Sequence, residues 1–325
     1  MYKNGANISK KDKERNILFS IYKKDDYAQI EDSEEPDFII CEKKDGNRFG
    51  VEVTELYYTE TNARMKNLDN YCLDLLHGKD FKHKDDKKNI EIGFPKLIAE
   101  NGEETEIKAL VSHVPKLFEY LAKVRELIAN KNNRVSSYNN ELSHVNLIIA
   151  DTERYFEGKQ LTTFYSMFFD QEILEVILNS RFREIFFITT VEKNRKVYIP
   201  LKMLLFVSRY IQFKEFIEEE YNNISISSKK SIEIFCSCLS TQGFKGLKTI
   251  IRQDGHEIVF GSTGICPAIG QNTNVHMYND NVIPKDAVLF KSDCNGVNNK
   301  IIKRFNKDVT ESTFLGAVGF DVIGK

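Results

Sequence analysis

Apolar and polar residues along this chain follow two rhythms, and the changes between them mark the expected elements. Near the start, Ile17, Leu18 and Ile21 fall on one stripe at helical spacing and Ser9 stands where an N-cap belongs, which predicts a helix over residues 10–22. Helical spacing returns over residues 60–76, through Met65, Leu68, Cys72 and Leu75. It returns again over 114–129, through Leu117, Leu121, Val124, Leu127 and Ile128, then over 164–178 and within 198–220. Short apolar runs lie between. Residues 37–41 (Asp-Phe-Ile-Ile-Cys) and 49–54 (Phe-Gly-Val-Glu-Val-Thr) flank Asp45-Gly46, a strong hairpin signal, and Pro36 opens the first run where its missing N–H does least harm. The runs at 145–150 and 184–190 have the unbroken apolar character of strands buried on both faces. The helix between them predicts a parallel crossover. A short edge strand is expected at 90–92, an exposed Lys- and Asp-rich loop at 77–89, and a polar linker at 130–140. The expected fold class is α/β, a mixed sheet flanked by helices.

The texture changes after residues 222–230, a polar Asn, Ser and Lys run. This predicts an α/β domain at 1–221 and a β-rich accessory domain at 231–325, with strands at 231–239, 257–260 and 287–291 and Gly-rich loops at 261–264 and 270–272. Cys236-x-Cys238 with His256, Cys266 and Cys294 lacks the tight knuckle spacing of a structural zinc site.

Composition narrows the function. Apolar residues, 41% of the chain, supply a substantial core, and a formal net charge of −2 means that any nucleic-acid surface must be a local patch. No run of about 18 uncharged apolar residues exists, so no membrane span is expected. Residues 1–13 are too polar for a signal peptide, and scattered cysteines suit free thiols, so a cytoplasmic protein is expected.

The candidate chemistry lies in the hairpin. With Asp45-Gly46 as the two central turn residues, Asp37 lies opposite Thr54 and Ile39 opposite Glu52, so Asp37, Glu52 and Thr54 share a face. Two carboxylates inside apolar strands either hold a hard divalent cation, pair with Lys or Arg, or face solvent, because unpaired buried charge is costly. Glu14 falls on the inner stripe of the first helix, one turn before Leu18. It either joins such a site or complements the helix dipole. Asp151, ending a buried strand, is expected to start the following turn.

Pro36-Asp37 followed, after a hairpin, by Glu52-Val53-Thr54 resembles the PD-(D/E)XK nuclease superfamily. The resemblance covers about residues 10–190 and implies a restriction-endonuclease-like core. It implies Mg2+ or Mn2+ held by Asp37 and Glu52, with Glu14 as a further ligand, and hydrolysis of phosphodiester bonds. DNA is the implied substrate, in settings such as restriction or anti-phage defence. The family places a Lys two residues after the Glu, where this chain has Thr54. Thr54 can hydrogen-bond a water or a phosphate oxygen but supplies no positive charge. Arg64 and Lys66, on the early turns of the helix at 60–76, are candidates for that cation and for nucleic-acid contact, or else are solvated surface residues. Residues 300–307 set Lys303 and Arg304 beside Phe305, which suits a nucleic-acid patch and a solvated helix face equally. The alternative expectation is a protein that keeps the fold without the chemistry, a catalytically inactive DNA- or protein-binding subunit. A protein partner or a homo-oligomer is open in either case.

Overall fold

The computed structural model describes residues 9–78, 83–138, 141–220, 228–252, 255–266, 274–277, 287–290 and 298–311. Helix α1 (Lys10–Leu18) starts where Ser9 Oγ accepts a hydrogen bond from Asp12 N–H at 3.1 Å and buries Glu14 and Leu18, but it ends four residues short of the expected 22, with Ile17 and Ile21 only partly buried. Strands β1 (Tyr27–Asp32), β2 (Phe38–Glu42) and β3 (Arg48–Leu56) follow as an antiparallel unit. The single helix expected at 60–76 is instead three short pieces with the segment after it: α2 (Glu60–Asn67), α3 (Tyr71–Leu76) and α4 (Asp86–Asn89). The break comes at Asn70, whose φ of 61° no helix interior accepts, and it leaves Leu68 half exposed. Where one edge strand was expected there are four: β4 (Ile90–Gly93), β5 (Lys96–Ile98), β6 (Glu104–Glu106) and β7 (Ala109–Ser112).

Helix α5 (Leu117–Arg134) runs straight through the start of the expected linker. After it come β8 (Val145–Asp151), α6 (Leu161–Ser166), α7 (Gln171–Asn179), β9 (Ile185–Val191), β10 (Arg195–Pro200) and α8 (Leu201–Glu220). The helix expected at 164–178 is divided at Asp170, whose Oδ1 caps α7 by accepting from Glu172 and Ile173 N–H. The main sheet has the order β1-β2-β3-β8-β9-β10, with β3, β8 and β9 parallel and the other pairings antiparallel. It is the mixed, helix-flanked sheet that the pattern predicts. Apolar side chains fill both of its faces. Leu18, Phe38, Val51, Val53 and Ile148 pack on the α1 side, and Val124, Ile128, Leu147, Ile149 and Phe187 on the α5 side.

The C-terminal part corrects the sequence reading. Residues 231–239 are not a strand but lie in helix α9 (Ser228–Thr241). Ile232, Ile234, Cys236 and Cys238 alternate as in a strand, yet Ile232, Phe235, Cys236 and Leu239 also recur at helical spacing, and all of them are buried. The helix prevails because Phe235 packs on α8, 4.8 Å ring to ring from Phe213. Burial pushes the Cys236 and Cys238 thiols up to about 12, which suits core packing and not metal binding. An antiparallel sheet follows, of β11 (Lys248–Arg252), β12 (Gly255–Phe260), β13 (Thr263–Cys266), β14 (Asn274–Met277) and β15 (Val288–Leu289), in the order β14-β13-β12-β11-β15. Thr263 and Gly264, expected in a loop, belong to β13, and Gly261 makes the turn with φ 58°. The loop expected at 270–272, residues 222–227 of the expected boundary and Cys294 lie outside the described residues. Helix α10 (Asn298–Glu311) packs Phe305 against Phe213 and Phe216.

One apolar cluster extends from Leu56 to Phe305, so the core passes through the expected boundary without a break. A buried carboxylate reinforces the join. Glu184, fully buried at the start of β9, accepts hydrogen bonds from Lys202 N–H at 2.8 Å in the first turn of α8 and from Ser262 Oγ at 2.7 Å between β12 and β13. Among the described residues, no helix is long and apolar enough to cross a membrane.

Candidate functional site

The hairpin of β2 and β3 sets the geometry. Its register pairs Phe38 with Val51, Ile39 with Gly50 and Cys41 with Arg48. This is two residues away from the pairing that a two-residue Asp45-Gly46 turn predicts. Glu42 N–H donates to Asn47 O at 2.9 Å and Gly46 N–H to Glu42 O at 3.2 Å, so residues 43–46 form a four-residue loop. Asp45 folds over it, accepting from Asn47 N–H at 3.0 Å, and Gly46 takes φ 70°. A shift of two keeps every side chain on its face and changes every partner. Continued by one residue, the observed register puts Asp37 opposite Glu52 and no longer opposite Thr54.

Asp37 Oδ2 accepts Val53 N–H at 2.8 Å, which turns the carboxylate across the hairpin toward β3. Lys11, from α1, donates to the Asp37 backbone carbonyl at 2.8 Å, and its Nζ lies 4.0 Å from Oδ1. Glu52 is nearly buried on the α5 face, and its Oε1 meets Lys131 Nζ at 2.6 Å. Lys131 sits in the last turn of α5 and continues the buried stripe of Val124 and Ile128 by one step. Glu14 approaches the same place from α1, where Lys10 and Lys11 each stand 3.4 Å from it.

Asp37, Glu14 and Lys131 line a cleft of about 560 Å³ together with Lys10, Lys13, Thr54 and Lys66, among others, while Glu52 lies behind Lys131 and is not among the lining residues. A second depression of about 370 Å³ shares Glu55, Tyr57 and Lys131 with it and continues along α5 past Lys123 and Arg134. The Asp37 carboxyl is pushed up to about 6 from its ordinary 3.8, first by burial and then by the Glu52 charge, while Val53 N–H and Lys131 act the other way.

The donor set fits a hard divalent cation. Burial and the neighbouring Glu52 charge both disfavour the ionised Asp37 carboxylate, and a bound cation would relieve both. Magnesium asks for only one or two protein carboxylates, taking its remaining oxygens from water and phosphate. Among the described residues there is no group of three or more His, Cys, Asp and Glu placed to hold a metal, so a cation here rests on the two acids.

The other expected residues divide. Thr54 and Lys66 line the cleft, and Lys66 is held there by Thr152 O at 2.8 Å and Glu153 Oε1 at 3.0 Å. Arg64 is engaged elsewhere, in an ion-pair network with Asp85, Asp86, Thr61 and the Tyr71 hydroxyl. Asp86 is fully buried, which also corrects the expectation of a wholly exposed loop at 77–89. Lys303 and Arg304 are exposed on α10 and are not among the residues that line either depression. Asp151 starts the turn after β8, accepting Tyr155 N–H at 3.0 Å and Thr189 Oγ1 at 2.7 Å. Lys131 escaped the sequence reading because polar neighbours placed it in a linker. The signal was there in the spacing, since residues 124, 128 and 131 fall on one helix face.

The chain has no significant match among protein-family models, curated proteins or solved structures.

Proposed function

We propose that this chain is a metal-dependent nuclease of the PD-(D/E)XK kind, acting on DNA. The observation that carries the reading is the placement of Asp37 across from Glu52 with Lys131 on the Glu52 carboxylate, at the edge of a cleft rimmed by lysines. Asp37 and Glu52 would hold the Mg2+ or Mn2+, while Glu14, paired with Lys10 and Lys11, lines the cleft without joining them as a third ligand. When bound, such a cation lowers the pKa of a water and neutralises charge on a phosphate. The chain's own residues do the rest. Lys131 pairs with Glu52 and puts beside the carboxylates the positive charge that Thr54 lacks. The Thr54 hydroxyl offers a hydrogen bond to a water or a phosphate oxygen. Lys10, Lys13 and Lys66 gather phosphate at the rim, and Lys123 and Arg134 continue the track along α5.

The test compares wild type, the Asp37→Ala/Glu52→Ala double variant and Lys131→Ala, each with magnesium or manganese and with plasmid, linear duplex, single-stranded DNA and RNA. Wild type is expected to cleave, the double variant to be inert, and Lys131→Ala to be slower by about 100-fold or more. Equal cleavage by wild type and the double variant sinks the proposal.

A specific observation favours a second reading, a catalytically inactive subunit that binds DNA or protein. Glu52 is already neutralised by Lys131, and Glu14 by Lys10 and Lys11. Metal binding separates the two. A cation that binds only the folded chain stabilises it by about 2.7 kcal/mol at 100 times its Kd. The inactive reading expects no such rise, and expects DNA retained in a gel shift but uncut.

A further inference from the structure

Strands β4 to β7 are two halves of one ribbon. Ile90 pairs with Ser112, Gly93 with Ala109, Lys96 with Glu106 and Ile98 with Glu104, all in a single register. Two hydrogen bonds bridge the halves and the tip, Ile107 N–H to Pro95 O at 3.0 Å and Ala99 N–H to Glu103 O at 2.9 Å. Pro95 interrupts the ladder because it has no N–H to give back. Ten residues a side make an arm roughly 30 Å long. Its base is anchored, since Ile90 packs with Tyr71, Leu75 and Leu110. From Phe94 to Lys108 every residue is exposed.

A two-stranded ribbon standing alone in water is marginal at best. This one also exposes large apolar side chains. Phe94, Leu97 and Ile98 on the arm, with Val111, Val114 and Phe118 below it, are each at least 51% exposed. By strand alternation Phe94 and Ile98 lie on one face of the ribbon and Leu97 and Val111 on the other, so apolar side chains flank the ribbon on both faces. Charge excludes a nucleic acid as the occupant, because residues 90–112 carry five Glu against two Lys.

The backbone says which side is open. Residues 95 and 99 hydrogen-bond inward to 107 and 103, so by alternation Lys96 and Ile98 turn their N–H and C=O groups outward. On the opposite edge the outward residues are Glu104, which pairs with Lys96, and Glu106, so two such edges would bring the Glu106 acids toward each other. The β5 edge has no such block. Its outward residues Phe94 and Ile98 are apolar, and Lys96 is already paired with Glu104 at 2.8 Å.

We propose that residues 90–118 are a self-association arm and that its occupant is the same arm of a second copy, joined β5 edge to β5 edge about a two-fold axis. An isologous contact needs a self-complementary surface, and an apolar strand edge is one. The test is sedimentation of the full chain between about 1 and 100 μM. Wild type is expected to sediment as a dimer. Phe94→Asp/Ile98→Asp places charge on the shared face, and Ile98→Pro removes an outward N–H without touching an inward one. Both are expected to be monomers, with the dissociation constant raised about 100-fold or more. Far-UV circular dichroism should stay at the wild-type value, since residues 94–108 lie outside the core, and only the wild-type melting temperature should rise with protein concentration. A wild-type chain that stays monomeric throughout, or a dimer that survives both variants, overturns the proposal.

Discussion

His144 shows how burial sets the behaviour of one residue. Its ring stacks on Phe49, 4.9 Å between centroids and within 6° of parallel, and Arg183 Nη1 reaches Nε2 at 3.1 Å. Burial, and then the Arg183 charge, lower its pKa to about 3 from the ordinary 6.5. The folded protein therefore holds this ring neutral where the unfolded chain protonates it. Its contribution to stability is fully present above pH 6.5 and is lost as pH falls from 6.5 toward 3. By pH 4.5 the loss should reach roughly 2 kcal/mol. His144→Phe keeps the stacking without the titration, so its melting temperature should fall less than that of wild type between pH 7 and 4.5. Parallel curves for the two proteins would refute this.

At the scale of elements, the length of α5 decides the character of the candidate site. The helix carries four residues beyond Asn130, and these bring Lys131 to Glu52. Removing one member of a nearly buried pair strands the other, so Lys131→Met is expected to cost about 3 kcal/mol in urea denaturation at pH 7. Glu52→Gln in that background should recover much of the loss, giving a coupling energy of at least about 1 kcal/mol in the double-mutant cycle. Additive effects would mean that the contact contributes nothing to stability. The same helix explains why the acids could be read from sequence when their cation could not. Asp37 and Glu52 share a face in either hairpin register, because both registers preserve strand parity. Lys131 comes to them only when a helix crosses the sheet at the right height.

For the whole molecule, the continuous core implies joint folding. Phe235, Phe260 and Phe305 pack into the cluster that also contains Phe206 and Phe213 of α8, and Glu184 binds Ser262 across the join. The full chain is expected to unfold in one cooperative step. A fragment of residues 1–221 would expose the apolar face of α8 and is expected to be poorly soluble or molten, with lost near-ultraviolet dichroism. A fragment that melts as sharply as the full chain would show that the two parts are independent.

Local spacing carried much of this architecture. The N-cap at Ser9, the paired strands around Asp45-Gly46, the buried strands at 145–151 and 185–191, and the shared face of Asp37 and Glu52 all follow from patterns spanning a few residues. Packing decided what lay outside that range. Residues 232–239 satisfy both a period of two and a helical period, and contact with α8 selects the helix. Arg64 looked like a surface cation until Asp86, 22 residues on, was buried against it. The hairpin register, the Lys131–Glu52 pair and the free arm at residues 94–108 depend on which surfaces meet, and a linear pattern does not encode that.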